Sequence, residues 1–289
     1  MKNRYKYIFL IAFTLLLSCS GCGKNVKDTR KEIYYNPYIQ KLILYSNEDK
    51  NFGMWNSTKN QFQYSVDNNN LYIDGNSINN NFKLLELRGN SIKKLFNFPN
   101  NESFFPLGRY GDKIYLTHYF YNDDGKEKID KRRISIYDIK TSKFTDFKKT
   151  TGLIDYGVLT MNEIYYTIYD VKKDRYSLMK IRKEGINDAP ELVRSELKDG
   201  VILANENELY YSDGEKLISS KKQYKKEPVN FFHSKILYQF YVDDNEQLCI
   251  RITNTQNNNV ITEVDVLGIR IMNNKVKVCK LDGVKIYDL

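Results

Sequence analysis

From about residue 40 to the end, short apolar or aromatic runs alternate with turns rich in Asn, Asp, Gly and Lys, and no sustained 3.6-residue stripe appears. The runs include Leu42-Ile43-Leu44-Tyr45, Leu71-Tyr72-Ile73, Ile134-Ser135-Ile136-Tyr137, Leu248-Cys249-Ile250-Arg251-Ile252 and Val276-Lys277-Val278. Alternation such as Ile134/Ile136 or Leu248/Ile250/Ile252 marks half-buried strands, which Tyr, Ile, Val and Phe suit. The pattern predicts an all-β chain.

A repeat emerges when the strand after each polar turn is aligned. Asn70-Leu71-Tyr72, Lys113-Ile114-Tyr115, Glu163-Ile164-Tyr165, Glu208-Leu209-Tyr210, Ile236-Leu237-Tyr238 and Lys275-Val276-Lys277 share one order: a polar turn, an aliphatic residue, then usually Tyr. The aliphatic anchors Leu71, Ile114, Ile164, Leu209, Leu237 and Val276 lie 43, 50, 45, 28 and 39 residues apart, about the length of a four-stranded propeller blade. In one unit read in full, Gly157–Met161 is the innermost strand, Glu163–Tyr169 the second, Tyr176–Ile181 the third and Glu191–Val193 the edge. Six anchors predict six blades of four antiparallel strands. The 28-residue interval leaves five or seven open, and paired β-sandwiches are the alternative. The last unit has room for three strands, so strands from about 40–57 are expected to complete it and close the ring, leaving no open sheet edge between blades. This pattern resembles the divergent six-bladed propellers of the TolB-like and low-density-lipoprotein-receptor-like kinds found in many bacterial lipoproteins.

The N-terminus differs. Lys2, Arg4 and Lys6 precede the apolar stretch Ile8–Leu17, which ends in small residues and cysteine, the order of a signal peptide. Ten apolar residues span only about 15 Å as a helix, half of a bilayer core of about 30 Å. Leu15-Leu16-Leu17-Ser18-Cys19 resembles the lipobox of bacterial lipoproteins, which implies cleavage before Cys19 and a lipid anchor on its sulfur. Cys22, after Ser20-Gly21, is the alternative site. The expected organisation is a signal peptide at 1–18, a lipidated cysteine and polar tether at 19–39 and a propeller at 40–289. Acyl chains such as palmitate would then hold the domain at the extracytoplasmic face of the cell membrane, each buried methylene contributing about 0.8 kcal/mol.

Composition narrows the chemistry. The 289 residues carry 45 Lys+Arg against 36 Asp+Glu; without residues 1–18, 42 basic residues remain, a surplus too small and too scattered to mark a nucleic-acid surface. Two histidines exclude a multi-histidine metal site, and four cysteines exclude a disulfide framework as the main source of stability. His118 falls in a strand and His233 opens a turn, neither with ligands at metal spacing, so both read as packing or surface residues. The acidic turns Asn122-Asp123-Asp124-Gly125 and Asp243-Asp244-Asn245 lack calcium-loop spacing. Cys249 and Cys279 fall in adjacent predicted blades with nothing to ensure that they meet. No nucleophile elbow, phosphate loop or zinc-protease helix occurs. No catalytic, cofactor or metal residue is therefore assigned. The expected function is that of a monomeric, non-catalytic lipoprotein whose propeller binds a protein, peptide or glycan at the cell envelope. An accessory subunit of an envelope transporter or export complex is the second reading, and an envelope enzyme acting on glycans or peptides the third.

Overall fold

A computed structural model describes residues 31–39, 41–46, 51–54, 62–66, 71–76, 81–88, 91–205, 208–272 and 275–289. Cys19, Cys22 and the expected signal segment lie outside the described residues. Among those described, strands dominate, the one helical turn is the 3-10 segment Ile129–Lys131, and no helix is long and apolar enough to cross a membrane.

The chain forms a β-propeller of six hydrogen-bonded sheets. It begins with β1 (Lys31–Asn36), β2 (Lys41–Ser46) and β3 (Asn51–Met54). Five four-stranded blades follow, the first being β4 (Phe62–Val66), β5 (Leu71–Asn76), β6 (Asn81–Arg88) and β7 (Ser91–Asn97). The second comprises β8 (Glu102–Tyr110), β9 (Lys113–Phe120), β10 (Arg133–Asp138) and β11 (Lys143–Asp146). In the third, β12 (Ile154–Leu159), β13 (Glu163–Asp170), β14 (Arg175–Arg182) and β15 (Glu191–Leu197) match the unit read from sequence strand for strand. The fourth contains β16 (Ile202–Ala204), β17 (Leu209–Ser212), β18 (Lys216–Ile218) and β19 (Gln223–Lys225). Its strands of three or four residues account for the short 28-residue repeat interval. The fifth is β20 (Val229–His233), β21 (Ile236–Val242), β22 (Leu248–Asn254) and β23 (Val260–Glu263), and the chain ends in β24 (Val266–Met272), β25 (Lys275–Lys280) and β26 (Gly283–Asp288). All six predicted anchors lie in second strands: β5, β9, β13, β17, β21 and β25.

The closing sheet departs from the expected four strands. It has six, in the order β26-β25-β24-β1-β2-β3, so the N-terminal strands do complete the ring. It also starts earlier than the expected boundary at residue 40, because Ile33, Tyr34 and Tyr35 supply an apolar run that is almost fully buried. The two three-stranded halves meet at one register pair, Tyr35↔Ile269, reinforced by the Asn36 side chain donating to the Leu267 carbonyl at 2.8 Å. Gly268 permits this approach, since a Cβ there would lie 3.0 Å from the Tyr35 carbonyl oxygen. Beyond the joint the halves fold onto each other through Tyr34, Ile43, Tyr45 and Cys279, with Lys277 Nζ donating to Glu32 Oε1 at 2.7 Å. Hydrogen bonding thus counts six sheets, whereas face-to-face packing counts seven leaves.

Apolar clusters fill the spaces between neighbouring leaves. Leu71, Leu84, Phe104 and Ile114 pack the β4–β7 blade on the β8–β11 blade, and Ile134, Ile154, Ile164 and Tyr166 join the next pair. Each such side chain contributes about 1.5–3 kcal/mol by leaving water. Ionic clasps sit at the edges of these interfaces. Glu263, at the end of β23, accepts from Lys280 Nζ at 2.9 Å, from Lys285 Nζ at 2.9 Å and from the Tyr287 hydroxyl. Burial opposes its charge, but those three donors outweigh burial and hold the carboxyl down at about 2.

Two outcomes follow from this packing. Replacing Glu263 with Gln leaves the buried Lys280 ammonium without its counter-charge, so it should cost about 3 kcal/mol at pH 7. Because the folded carboxyl titrates below its ordinary 4.5, this contribution is complete above about pH 4.5 and is lost as pH falls towards 2. Denaturant titrations of both forms at pH 7 and pH 3 will show whether the gap narrows in acid. The Tyr166 hydroxyl, in contrast, is buried with no hydrogen-bond partner among the described residues. Tyr166→Phe should therefore raise stability by about 1 kcal/mol, read as a higher melting temperature.

Candidate functional site: an axial cavity

The innermost strands of four blades, β8, β12, β16 and β20, run side by side around a cavity of about 770 Å³. Its wall consists of Phe105–Tyr110, Tyr156–Met161, Val201–Asn205, Lys226 and Pro228–Ser234, with Tyr35 and Pro37 of the first hairpin completing it. Each inner strand has a neighbour on one side only, so its other backbone edge faces the axis. The β-bulge between Pro106 and Gly108 interrupts the β8–β9 ladder within the cavity wall.

Aromatic and apolar side chains dominate the lining, and several keep much of their surface open: Tyr156 is 43%, Tyr110 58% and Met161 65% exposed. A volume of this size, walled by aromatics with a few polar groups, has the dimensions of a small-molecule or peptide-segment site. Among the described residues, no Asp or Glu lines the cavity.

The lining cations are matched by carboxylates set behind the wall. Arg109 pairs with Glu86 and donates through Nε to the Gly111 carbonyl at 2.7 Å. Lys226 pairs with Asp199, whose other contacts are the Ser212 hydroxyl at 2.8 Å and the Val201 N–H at 2.9 Å. Burial opposes the charge on Asp199, but these donors hold its carboxyl below the ordinary range.

The histidines take different positions. His118 is buried on β9, stacked 4.2 Å from the Phe104 ring, with the tilted Phe120 ring 3.9 Å away. Its Nε2 lies 2.9 Å from Glu102 Oε2, and its Nδ1 lies 3.3 Å from Ser135 Oγ. Ser135 is fully buried and donates to Asp146 at 2.6 Å, so its hydroxyl is committed to the carboxylate. These residues form a packed polar network inside one blade, consistent with the packing role expected for His118. His233 ends β20 just before its turn and lines the cavity.

The acidic turns use their carboxylates as turn acceptors. Asp124 Oδ1 takes the Lys126 N–H at 3.0 Å, and Asp243 Oδ1 takes those of Asn245 and Gln247 at 3.0 and 2.9 Å. Both turns join the second and third strands of their blades. Cys249 and Cys279 are buried free thiols on β22 and β25, in different sheets. Burial pushes them up to about 11 and about 12, which leaves them protonated and inert at neutral pH.

The sequence identified one wall of the cavity, since Gly157–Met161 was assigned to an innermost strand. It did not single out Phe105, Tyr110 or Tyr156. Their common feature, an aromatic residue on the strand preceding an anchor repeat, is the signal that marks inner strands.

No family model and no curated protein matches this chain. Solved structures do match in fold. TolB from Acinetobacter baumannii superposes with a TM-score of 0.52 at 11% identity, covering 90% of this chain and 69% of that one. An acylaminoacyl peptidase, solved in complex with a chloromethyl ketone, gives 0.51 at 8% identity, covering 89% of this chain and 48% of that one. Puromycin hydrolase, as an S511A mutant, gives 0.48 at 8% identity over 94% of this chain, which spans about half of that protein's length. At these identities the likeness is one of fold alone.

The stacked position of His118 generates a prediction. His118→Ala should cost about 2 kcal/mol by losing contact with two rings and unpairing Glu102, and it should leave any binding in the axial cavity unchanged. Chemical denaturation beside a binding titration separates the two effects.

Proposed function

We propose that this chain is a lipid-anchored protein of the extracytoplasmic membrane face whose propeller binds, without catalysis, an extended segment of an envelope partner in its axial cavity. The observation that carries this reading is the cavity itself: about 770 Å³, lined by exposed Tyr156, Tyr110 and Met161, with its cations already paired. Rigid inner strands hold those side chains in place before any ligand arrives, which lowers the ordering cost of binding. Free strand edges around the axis add backbone donors and acceptors that an extended chain can use.

The anchor reading rests on Ser18-Cys19 at the end of the apolar stretch, with Cys22 as the alternative. Tethering would raise the effective concentration of the cavity near membrane-bound partners. The absence of Asp and Glu among the described lining residues supports binding over glycan hydrolysis, which needs two carboxylates facing the substrate. A role as accessory subunit in an envelope complex uses the same cavity and differs only in the partner.

Two measurements test this reading. Palmitate labelling in the native cell should mark the wild-type chain and be abolished by Cys19→Ala; label persisting in that variant but lost with Cys22→Ala would move the anchor to Cys22, and an unlabelled wild type would remove it. Tyr156→Ala should weaken capture of envelope-derived peptides at least tenfold with the melting temperature nearly unchanged, because the ring is substantially exposed. Equal capture would remove the cavity from the binding surface.

A further inference from the structure

Two buried lysines in this fold are treated differently. Lys280 is 7% exposed and has Glu263 as its counter-charge at 2.9 Å. Lys183, which follows β14, is 5% exposed, yet its Nζ has no hydrogen-bond partner among the described residues. Its ammonium rests 3.6 Å from the centre of the Tyr110 ring. The main chain is fixed there, since the Lys183 N–H donates to the Asn162 carbonyl at 3.0 Å, in the turn that follows the cavity residue Met161.

A buried ammonium that is neither paired nor hydrogen-bonded is costly. A ring face compensates less than a carboxylate does. Burial also draws the amine below the ordinary lysine range, with Glu184 opposing it. Tyr110 is the other half of the arrangement: it caps Lys183, lines the cavity and is 58% exposed, so it stands at the boundary between amine and solvent. Arg109 and Lys226 are already neutralised by Glu86 and Asp199, and among the described residues no carboxylate lines the cavity to repel an anion.

We propose that the cavity rim carries a carboxylate-binding site, in which displacement of Tyr110 exposes Lys183 Nζ to the free C-terminal carboxylate of an extended peptide whose apolar residues lie along the inner strands. This deepens the peptide-binding reading of the cavity and rests on it. The ring of Tyr110 serves as a lid: it shields the ammonium when the cavity is empty and moves aside for a stronger partner. One ammonium takes one carboxylate, so in a segment without acidic side chains the site distinguishes the end of the chain from its interior.

The test uses the full-length protein and two pools of N-acetylated hexapeptides, random but without Asp or Glu, one ending in a free carboxyl and one in an amide. The acid pool should be retained at least tenfold better than the amide pool. Lys183→Met should abolish that preference while leaving the melting temperature equal or higher, because it removes an uncompensated buried charge; Tyr110→Ala should keep the preference. Equal retention of the pools by the wild type, or a preference that survives in Lys183→Met, overturns the carboxylate site. If the pools are retained equally but through Tyr156, the cavity reading stands while this site falls; if neither pool is retained, both fall.

Discussion

The structure depends on one constraint: each sheet is apolar on both faces and has to be covered twice. Leu71 and Tyr72 are adjacent on β5 and point to opposite sides, and both are buried, one among the Phe104 and Ile114 cluster and the other against Tyr35 and Leu42. An open stack of such sheets would leave two greasy ends in water, whereas a ring leaves none. Closure is therefore the condition under which every other interface is satisfied. It is achieved at the joint between β1 and β24, where backbone contact is slight and side-chain packing around Tyr34 and Tyr45 is extensive.

That economy shapes the polar chemistry. With both faces of each leaf occupied by apolar contacts, charged groups gather at strand ends and pair across interfaces, as Glu263 does with Lys280 and Lys285, and Glu32 with Lys277. Around the axis, the inner edges of β8, β12, β16 and β20 have no ladder partner. The cavity there is walled by inner-strand residues such as Tyr156, together with turn residues such as Met161.

Much of this was legible in the sequence because period and composition are local signals. The aliphatic–Tyr anchors located all six second strands, and the unit around Ile164 gave a whole blade in order. The start of the ring was less visible: Glu32-Ile33-Tyr34-Tyr35 is short, is followed by Asn36-Pro37, and adjoins a polar stretch that masks it. The doubling of the closing sheet was hidden for a different reason. Whether two triplets of strands lie flat or fold together is decided by Gly268 meeting Tyr35 across more than 230 residues, and no periodicity encodes that contact. Lys183 carried no signal either, since a lysine after a strand reads as solvated until its burial under Tyr110 is known.

The blade formed by β16–β19 has a further consequence. Its strands are three or four residues long, while β13 and β14 in the adjoining blade have eight each, so this sector is held by the fewest ladder bonds. Local opening costs least where such bonds are few. Among the four-stranded blades, opening of the cavity wall is thus expected to cost least at Ile202–Ala204, where the lumen can adjust its bore.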